Sequence, residues 1–301
     1  MMKSADYLES INCPICNSTN SNREFSITHD SSNVLDILQL DAAATEVDIV
    51  SCNNCGHKYM TPVIKQELMD RYYSILNSEF YHSGKEVYNQ NKKEYEDYTS
   101  IIKGFKAQGK VLEIGCGNGF LLKTLEAAGY DCYGVEPSPL AYGYAKNDLG
   151  LQVEISFLAE SSFYNAEFDI VILIDVVEHV INMQALMQDV KKVLKPDGLI
   201  FIGTGNIESF NARLAKQNWG YFLSWEHVSF FNKKSMHRLL HDNNFQNIII
   251  RETSLQHKPL QNSVEFCKNL FKKFVNPFLK KQYYHGITFD HFIVTATNKK
   301  G

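Results

Sequence analysis

Residues 110–129 read KVLEIGCGNGFLLKTLEAAG. A short apolar run, VLEIG, passes into a loop with glycine at every second position and then into an apolar-periodic segment that stops at Gly129. That order predicts a strand, a glycine loop and a helix. Glycines in such a loop let the backbone approach a ligand closely, and the helix behind it turns free N–H groups and its positive end toward an anionic group. The spacing is Gly115-x-Gly117-x-Gly119 rather than Gly-x-Gly-x-x-Gly, and an acidic residue, Glu113, stands two positions ahead of the first glycine.

Downstream, further apolar runs alternate with amphipathic stretches: CYGVEP (132–137), LQVEI (151–155), DIVILID (169–175), GLIFIGTG (198–205), NIIIRET (247–253) and HFIVTAT (291–297). With VLEIG these make seven candidate strands, and the pattern predicts an α/β domain with a doubly wound sheet covered on both faces. The second strand ends in Glu136, followed by Pro137. A carboxylate there can accept both hydroxyl protons of a ribose. No Gly-x-x-x-x-Gly-Lys-Ser/Thr occurs, which removes the nucleoside triphosphate loop from consideration.

Upstream lie two Cys-x-x-Cys pairs, Cys13-Pro-Ile-Cys16 and Cys52-Asn-Asn-Cys55. Each pair can form a knuckle, and together they offer four thiolates to a closed tetrahedral zinc site. A segment of about fifty residues buries too little core to fold well unaided, so a metal would supply stability. Residues 30–46, DSSNVLDILQLDAAATE, lie between the pairs and are expected to form an inserted hairpin or a loop. His57 follows the second pair and is expected at the surface, since four cysteines already complete the shell. The cysteines are taken as thiols of a reducing compartment, because the chain opens MMKSADYLES with no apolar leader and has no apolar stretch long enough to span a bilayer. A cytoplasmic protein is expected.

The division expected is a zinc-binding module at 1–62, a tyrosine-rich helical linker and cover at 63–105, and the α/β domain at 106–301 with a helical insertion near 256–286. Lys and Arg number 30 against 34 Asp and Glu, net charge -4. That balance gives no general basic excess to draw the chain onto nucleic acid.

Taken together, VLEIGCGNGF, GVEPS, DIVILIDVVEHV and LKPDGLIFIGT resemble the ordered motifs of class I S-adenosylmethionine methyltransferases, Rossmann-like enzymes, in the branch that includes the ubiquinone-type enzymes. The resemblance is close over residues 110–205 and looser to the end of the chain. It implies that Gly115, Cys116, Gly117 and Gly119 face the methionine part of the cofactor, with Glu113 beneath its amino group and Glu136 on the ribose beside Pro137. It also implies that Asp175 lines the site. Relatives often place an Asp after the third strand for the adenine; this chain has Glu160 nearby instead, or a backbone contact.

The sulfonium already activates the methyl group, so the protein must align the attack, exclude water and supply a base where the nucleophile loses a proton. Two Glu-His pairs are available: Glu178-His179, and Glu226-His227 among Trp219, Tyr221, Phe222 and Trp225. His227 is the expected base, held by Glu226, with an ordinary histidine pKa near neutrality; the alternative is a purely structural role. His179 is expected at a helix start or the pocket wall, and is next in line as the catalytic base. Tyr81 and Tyr88 are candidates to cover the sulfonium.

Zinc knuckles ahead of such a core resemble nucleotide-sugar methyltransferases, which implies a sugar-like small-molecule acceptor and methylation at carbon or oxygen. An RNA methyltransferase and a non-catalytic cofactor-binding module are the alternatives. Residues 265–284, EFCKNLFKKFVNPFLKKQYY, read as a basic amphipathic helix. Packing on the same chain or on a second copy, giving a homodimer, is favoured there over contact of 265–281 with a membrane.

Overall fold

The computed structural model describes residues 7–29, 33–40, 45–76, 84–253 and 290–299. In chain order the first part comprises β1 (Leu8–Glu9), β2 (Ser21–His29), α1 (Asn33–Leu38), β3 (Thr45–Cys52), β4 (Lys58–Thr61), β5 (Val63–Ile64), α2 (Gln66–Ile75) and α3 (Gly84–Phe105). Then come β6 (Lys110–Ile114), α4 (Phe120–Ala127), β7 (Asp131–Val135), α5 (Pro139–Gly143), β8 (Gln152–Glu154) and β9 (Phe168–Ile174). The last part holds α6 (Met183–Val193), β10 (Leu194–Gly205), α7 (Phe210–Ala215), β11 (Ser229–Phe230), α8 (Lys233–Asp242), β12 (Phe245–Thr253) and β13 (His291–Asn298). The basic amphipathic segment at 265–284 and Tyr81 lie outside the described residues.

Seven strands form one sheet in the order β12-β13-β10-β9-β6-β7-β8. The ladders from β10 through β9 and β6 to β7 and β8 are parallel, whereas β13 runs antiparallel to both β10 and β12. Successive residues of a strand face opposite sides, and that rule sorts the core. Val111, Ile170, Ile172, Leu199, Phe201 and Ile293 pack with Ile102 of α3 and Leu121, Leu122 and Leu125 of α4. Their neighbours Leu112, Val171, Leu173, Ile200, Ile202 and Phe292 pack on the other side, with Met187 and Val190 of α6 and Met236 and Leu239 of α8. The result is the Rossmann-like doubly wound sheet expected from the apolar runs.

The cysteine segment is joined to this domain by backbone as well as side chains. β2 and β3 pair as a hairpin, with α1 between them, and β3 pairs with β4. The fourth strand of that sheet is β11, supplied from beyond residue 220 and paired antiparallel to β4 through Ser229↔Tyr59 and Phe230↔Lys58. β5 pairs with β1. His57, expected at the surface, is completely buried. Its ring lies between Tyr59 and Phe231, 6.3 and 5.0 Å between centroids, because the β4–β11 pairing seals this edge against α8.

Candidate active site

The glycine loop lies between β6 and α4, and Gly115, Gly117 and Gly119 all have positive φ. Gly119 is the tightest: at φ 76° it caps α4, and a Cβ there would stand 2.4 Å from Cδ1 of Leu151. Cys116 is buried with its sulfur against Gly134, so it offers the loop its backbone and not its thiol. Glu136 is buried, and its two oxygens accept the Gly117 and Ser138 N–H groups, each at 2.8 Å. Each oxygen keeps a lone pair, which suits a diol presented edge-on. Pro137 follows it at the turn into α5. Burial raises the Glu136 pKa, and the two N–H donors oppose that.

Glu113 is buried beneath the loop, and its Oε2 has no hydrogen-bond partner among the described residues. Burial, then the charge of Glu136, push its pKa well above the ordinary carboxyl range. An uncompensated acid in that place suits a cationic amino group. Asn118 Oδ1 is likewise unpartnered. These orphaned acceptors and the glycine backbone fit the amino-acid end of S-adenosylmethionine. Tyr88 stacks on Tyr95 and packs on Phe120, at 6.2 and 5.3 Å between centroids, forming an aromatic wall beside α4. Glu160 lies exposed on a 3-10 turn.

A second group gathers at the carboxyl ends of β9 and β10, the edge where open parallel sheets bind ligands. Asp175 follows β9 with φ 51°, its N–H donating to the Gly203 carbonyl, and its side chain is 48% exposed. Glu178 is buried: Oε2 accepts from Thr204 Oγ1 at 2.9 Å, and Oε1 has no hydrogen-bond partner among the described residues. Burial and the nearby Asp175 push its pKa well above the ordinary carboxyl range. His179 Nδ1 meets the Tyr73 hydroxyl at 3.0 Å. Donor atoms of Glu178, His179 and His227 all lie within 4.8 Å of one another.

His227 Nδ1 donates to the Tyr221 carbonyl at 3.0 Å, which leaves Nε2 as the basic nitrogen. Its ring stacks on Tyr221, 4.5 Å between centroids, and meets His179 edge-on at 4.9 Å. Burial, reinforced by His179, pushes its pKa to about 3, far from the near-neutral value expected from sequence. Burial takes His179 to about 4. The Glu226 carboxylate accepts from Ser224 Oγ at 3.1 Å, so it is the Tyr221 carbonyl that orients His227. Of the aromatic residues expected around the pocket, Trp219, Phe222 and Trp225 are buried in a core shared with Met60 and Tyr72. Tyr221 stacks on His227 instead.

Sequence reasoning passed over Glu178, Tyr221 and His291 as a set. The Tyr221 hydroxyl and His291 Nε2 are 2.5 Å apart, and His291 Nε2 is 3.7 Å from Asp175 Oδ1. Tyr221 and His291 are 70 residues apart in the chain, and no local spacing signals such a contact.

The four cysteines also converge. Cys13 and Cys55 sulfurs are 3.4 Å apart, Cys16 and Cys52 sulfurs 3.6 Å, and all four lie within 4.8 Å of one another. A zinc ion with Zn–S bonds of about 2.3 Å sets tetrahedral sulfurs about 3.8 Å apart, so the cluster is compatible with a zinc ribbon.

A family model described as a methyltransferase domain matches residues 86–249, more than half of the chain. The chain belongs to this methyltransferase family. The methyltransferase is 26% identical over 172 residues to the ubiquinone biosynthesis O-methyltransferase of Bartonella bacilliformis, covering 54% of this chain and 68% of that one. Its fold is similar to that of a Thermotoga maritima protein described as a possible histamine N-methyltransferase, with a TM-score of 0.52, 18% identity, and 73% and 96% of the two chains covered. It is also similar to phosphoethanolamine N-methyltransferase 2 of Haemonchus contortus in complex with S-adenosyl-L-methionine, with a TM-score of 0.52, 14% identity, and 93% and 69% covered. The methyl donor of this methyltransferase is S-adenosylmethionine. No helix among its described residues is long and apolar enough to cross a membrane.

Proposed function

We propose that the methyltransferase transfers a methyl group to a hydroxyl oxygen of a small acceptor, with His227 Nε2 taking the hydroxyl proton. The observation that carries this reading is the fixed tautomer of His227. Its Nδ1 hydrogen is committed to the Tyr221 carbonyl, so the remaining nitrogen, Nε2, is the acceptor available for a substrate proton. The named similarity to an O-methyltransferase supports oxygen as the methylated atom.

When bound, S-adenosylmethionine supplies an electrophilic methyl on a sulfonium. Glu136 would hold the ribose hydroxyls, the Gly115–Gly119 loop the methionine part, Glu113 the amino group and Asp175 the wall facing the acceptor; Glu160 is the nearest carboxylate for the adenine. His227 accepts the acceptor's proton as the oxygen bonds to the methyl. It gains one positive charge as the donor sulfur gives one up, so the net charge of the pocket is unchanged. That conservation offsets the low basicity of His227 in the empty site, where a new charge would be uncompensated. His179, held by Tyr73, walls the acceptor side of His227.

The neutral imidazoles of His179 and His227, the Tyr221 ring stacked on His227 and the Tyr73 ring beside His179 favour a flat, hydroxylated ring over a charged acceptor. The sugar-like acceptor expected from the zinc knuckles therefore becomes an arm of the test. We further assign one zinc ion to Cys13, Cys16, Cys52 and Cys55, as structural metal with no open position. The experiment is incubation with methyl-labelled cofactor and three acceptor sets: hydroxylated aromatics, nucleotide sugars and RNA. Label recovered as an aryl methyl ether supports the reading. Label on sugar carbon or on RNA overturns it, and failure to bind the cofactor at all would return the chain to a non-catalytic module.

A further inference from the structure

The last strand brings His291 into the acceptor site, where nothing in the motifs assigns it a task. His291 is the register partner of Gly205 across the β13–β10 ladder. A Cβ at Gly205 would stand 2.4 Å from Tyr221 Cε1 and 2.6 Å from Cζ. The missing side chain is therefore the slot in which the Tyr221 ring lies. At the end of that slot the Tyr221 hydroxyl meets His291 Nε2 at 2.5 Å, and His291 Nδ1 is 3.4 Å from Asp290 Oδ1. The other end of the same tyrosine controls His227 twice, through its carbonyl and through its ring face.

We propose that His291 is a positioning residue of the methyltransferase: by anchoring the Tyr221 hydroxyl between Gly205 and β13, it fixes the tautomer and plane of His227. The proposal rests on the proton-acceptor role of His227 argued above. The groups facing His291 are Glu94 of α3, Asp175 after β9, Asp290 just ahead of β13, and Tyr221 and His227 from the 219–227 loop. Burial draws its pKa down, but the hydrogen bond to Asp290 and the charges of Asp175, Asp290 and Glu94 outweigh that and leave it raised. In its protonated form His291 donates both N–H groups, Nδ1–H toward Asp290 and Nε2–H toward the tyrosine oxygen.

The test uses the whole protein with histidine rings labelled in nitrogen-15, read by NMR, together with kinetics. Wild-type protein should show His227 as a single Nδ1–H tautomer. In His291→Leu, the His227 signal should become a tautomer mixture. His291→Gln, which keeps a donor near the Nε2 position, should restore most of it. Gly205→Ala, which displaces the Tyr221 ring while leaving His291 in place, should give the same mixture and covers the case in which His291→Leu fails to fold.

With an acceptor in hand, kcat of His291→Leu should fall roughly ten- to hundredfold, while the Kd for S-adenosylhomocysteine stays within about twofold. Wild-type kcat should decline on the alkaline side as the imidazolium is lost, a limb absent in His291→Gln. A well-folded His291→Leu whose His227 tautomer is unchanged overturns the proposal. If the wild type methylates no hydroxyl, the proposed function fails, and the tautomer measurement still decides the role of His291.

Discussion

Val228 ties the cysteine module to the acceptor site: its N–H donates to the Glu178 carbonyl at 2.8 Å, and its carbonyl accepts the Met60 N–H at 2.9 Å. One residue beyond His227, the chain is thus hydrogen-bonded on one side to the wall of the pocket and on the other to β4. β4 itself begins three residues after Cys55. A disturbance at the cysteines reaches His227 through one short ladder.

Metal removal should therefore damage turnover as well as stability. Elemental analysis of purified protein should give one zinc per chain. Cys55→Ser, or prolonged treatment with a strong chelator, should lower the Tm and reduce kcat while the affinity for S-adenosylhomocysteine, read by calorimetry, changes little. A folded, metal-free protein with unaltered Tm would show that the four thiols hold no structural ion.

His227→Asn should leave cofactor binding intact and lower kcat by roughly 10²- to 10⁴-fold, the usual contribution of a placed base. KM should move little. Near-normal turnover in a well-folded His227→Asn enzyme would transfer the proton to another group, or to bulk water after methyl transfer.

Glu136→Ala removes two acceptors for the ribose and also releases the Gly117 and Ser138 N–H groups. Cofactor affinity should fall by about 2 to 4 kcal/mol. Titration with S-adenosylhomocysteine measures it, and an unchanged Kd would mean that the ribose is bound elsewhere.

Glu113→Gln separates stability from binding. A carboxyl whose folded pKa is raised contributes stability that is present below its unfolded value and lost as pH rises through the folded value. Replacing this unpartnered acid with a neutral amide should therefore raise the Tm of the cofactor-free protein at pH 8 relative to wild type. Cofactor affinity should drop about tenfold or more, because the amino group loses its counter-charge. A lower Tm at pH 8 would assign Glu113 a structural role instead.

The partly buried His179 and His227 have pKa values depressed to about 4 and about 3. For a depressed histidine, the stability it confers is present above the unfolded value, near 6.5, and is lost as pH falls toward the folded one. Each should add up to ~1.4 kcal/mol of destabilisation per pH unit over that window. A pH series of denaturant melts should show the loss between pH 6 and 4.5, and His179→Gln should shallow it. A flat profile would mean that both rings are solvated.

How much was legible depended on whether the signal was local. Strand periodicity, the glycine loop with Glu113 and Glu136, and the Cys-x-x-Cys pairs all depend on residues a few positions apart, and steric or ligand geometry acts at that range. The surface placement of His57 and the neutral pKa of His227 were read from isolated side-chain chemistry. Both changed because burial by distant elements, β11 and α8 in one case and His179 in the other, raises the cost of a charge.

The sequence by itself determined the alternating α/β core, the cofactor loop and the four-thiol set, because apolar period, glycine conformation and ligand spacing are properties of contiguous chain. Only the tertiary structure decided that β11 completes the sheet of the cysteine module, that Tyr221 and not Glu226 orients His227, and that His291 stands behind that tyrosine. The β11–β4 pairing and the Tyr221–His291 contact join segments 70 residues or more apart, and they set the loop in which the Tyr221 carbonyl meets His227. They exist only once the sheet has brought β4, β9, β10 and β13 together and water has been excluded from between them.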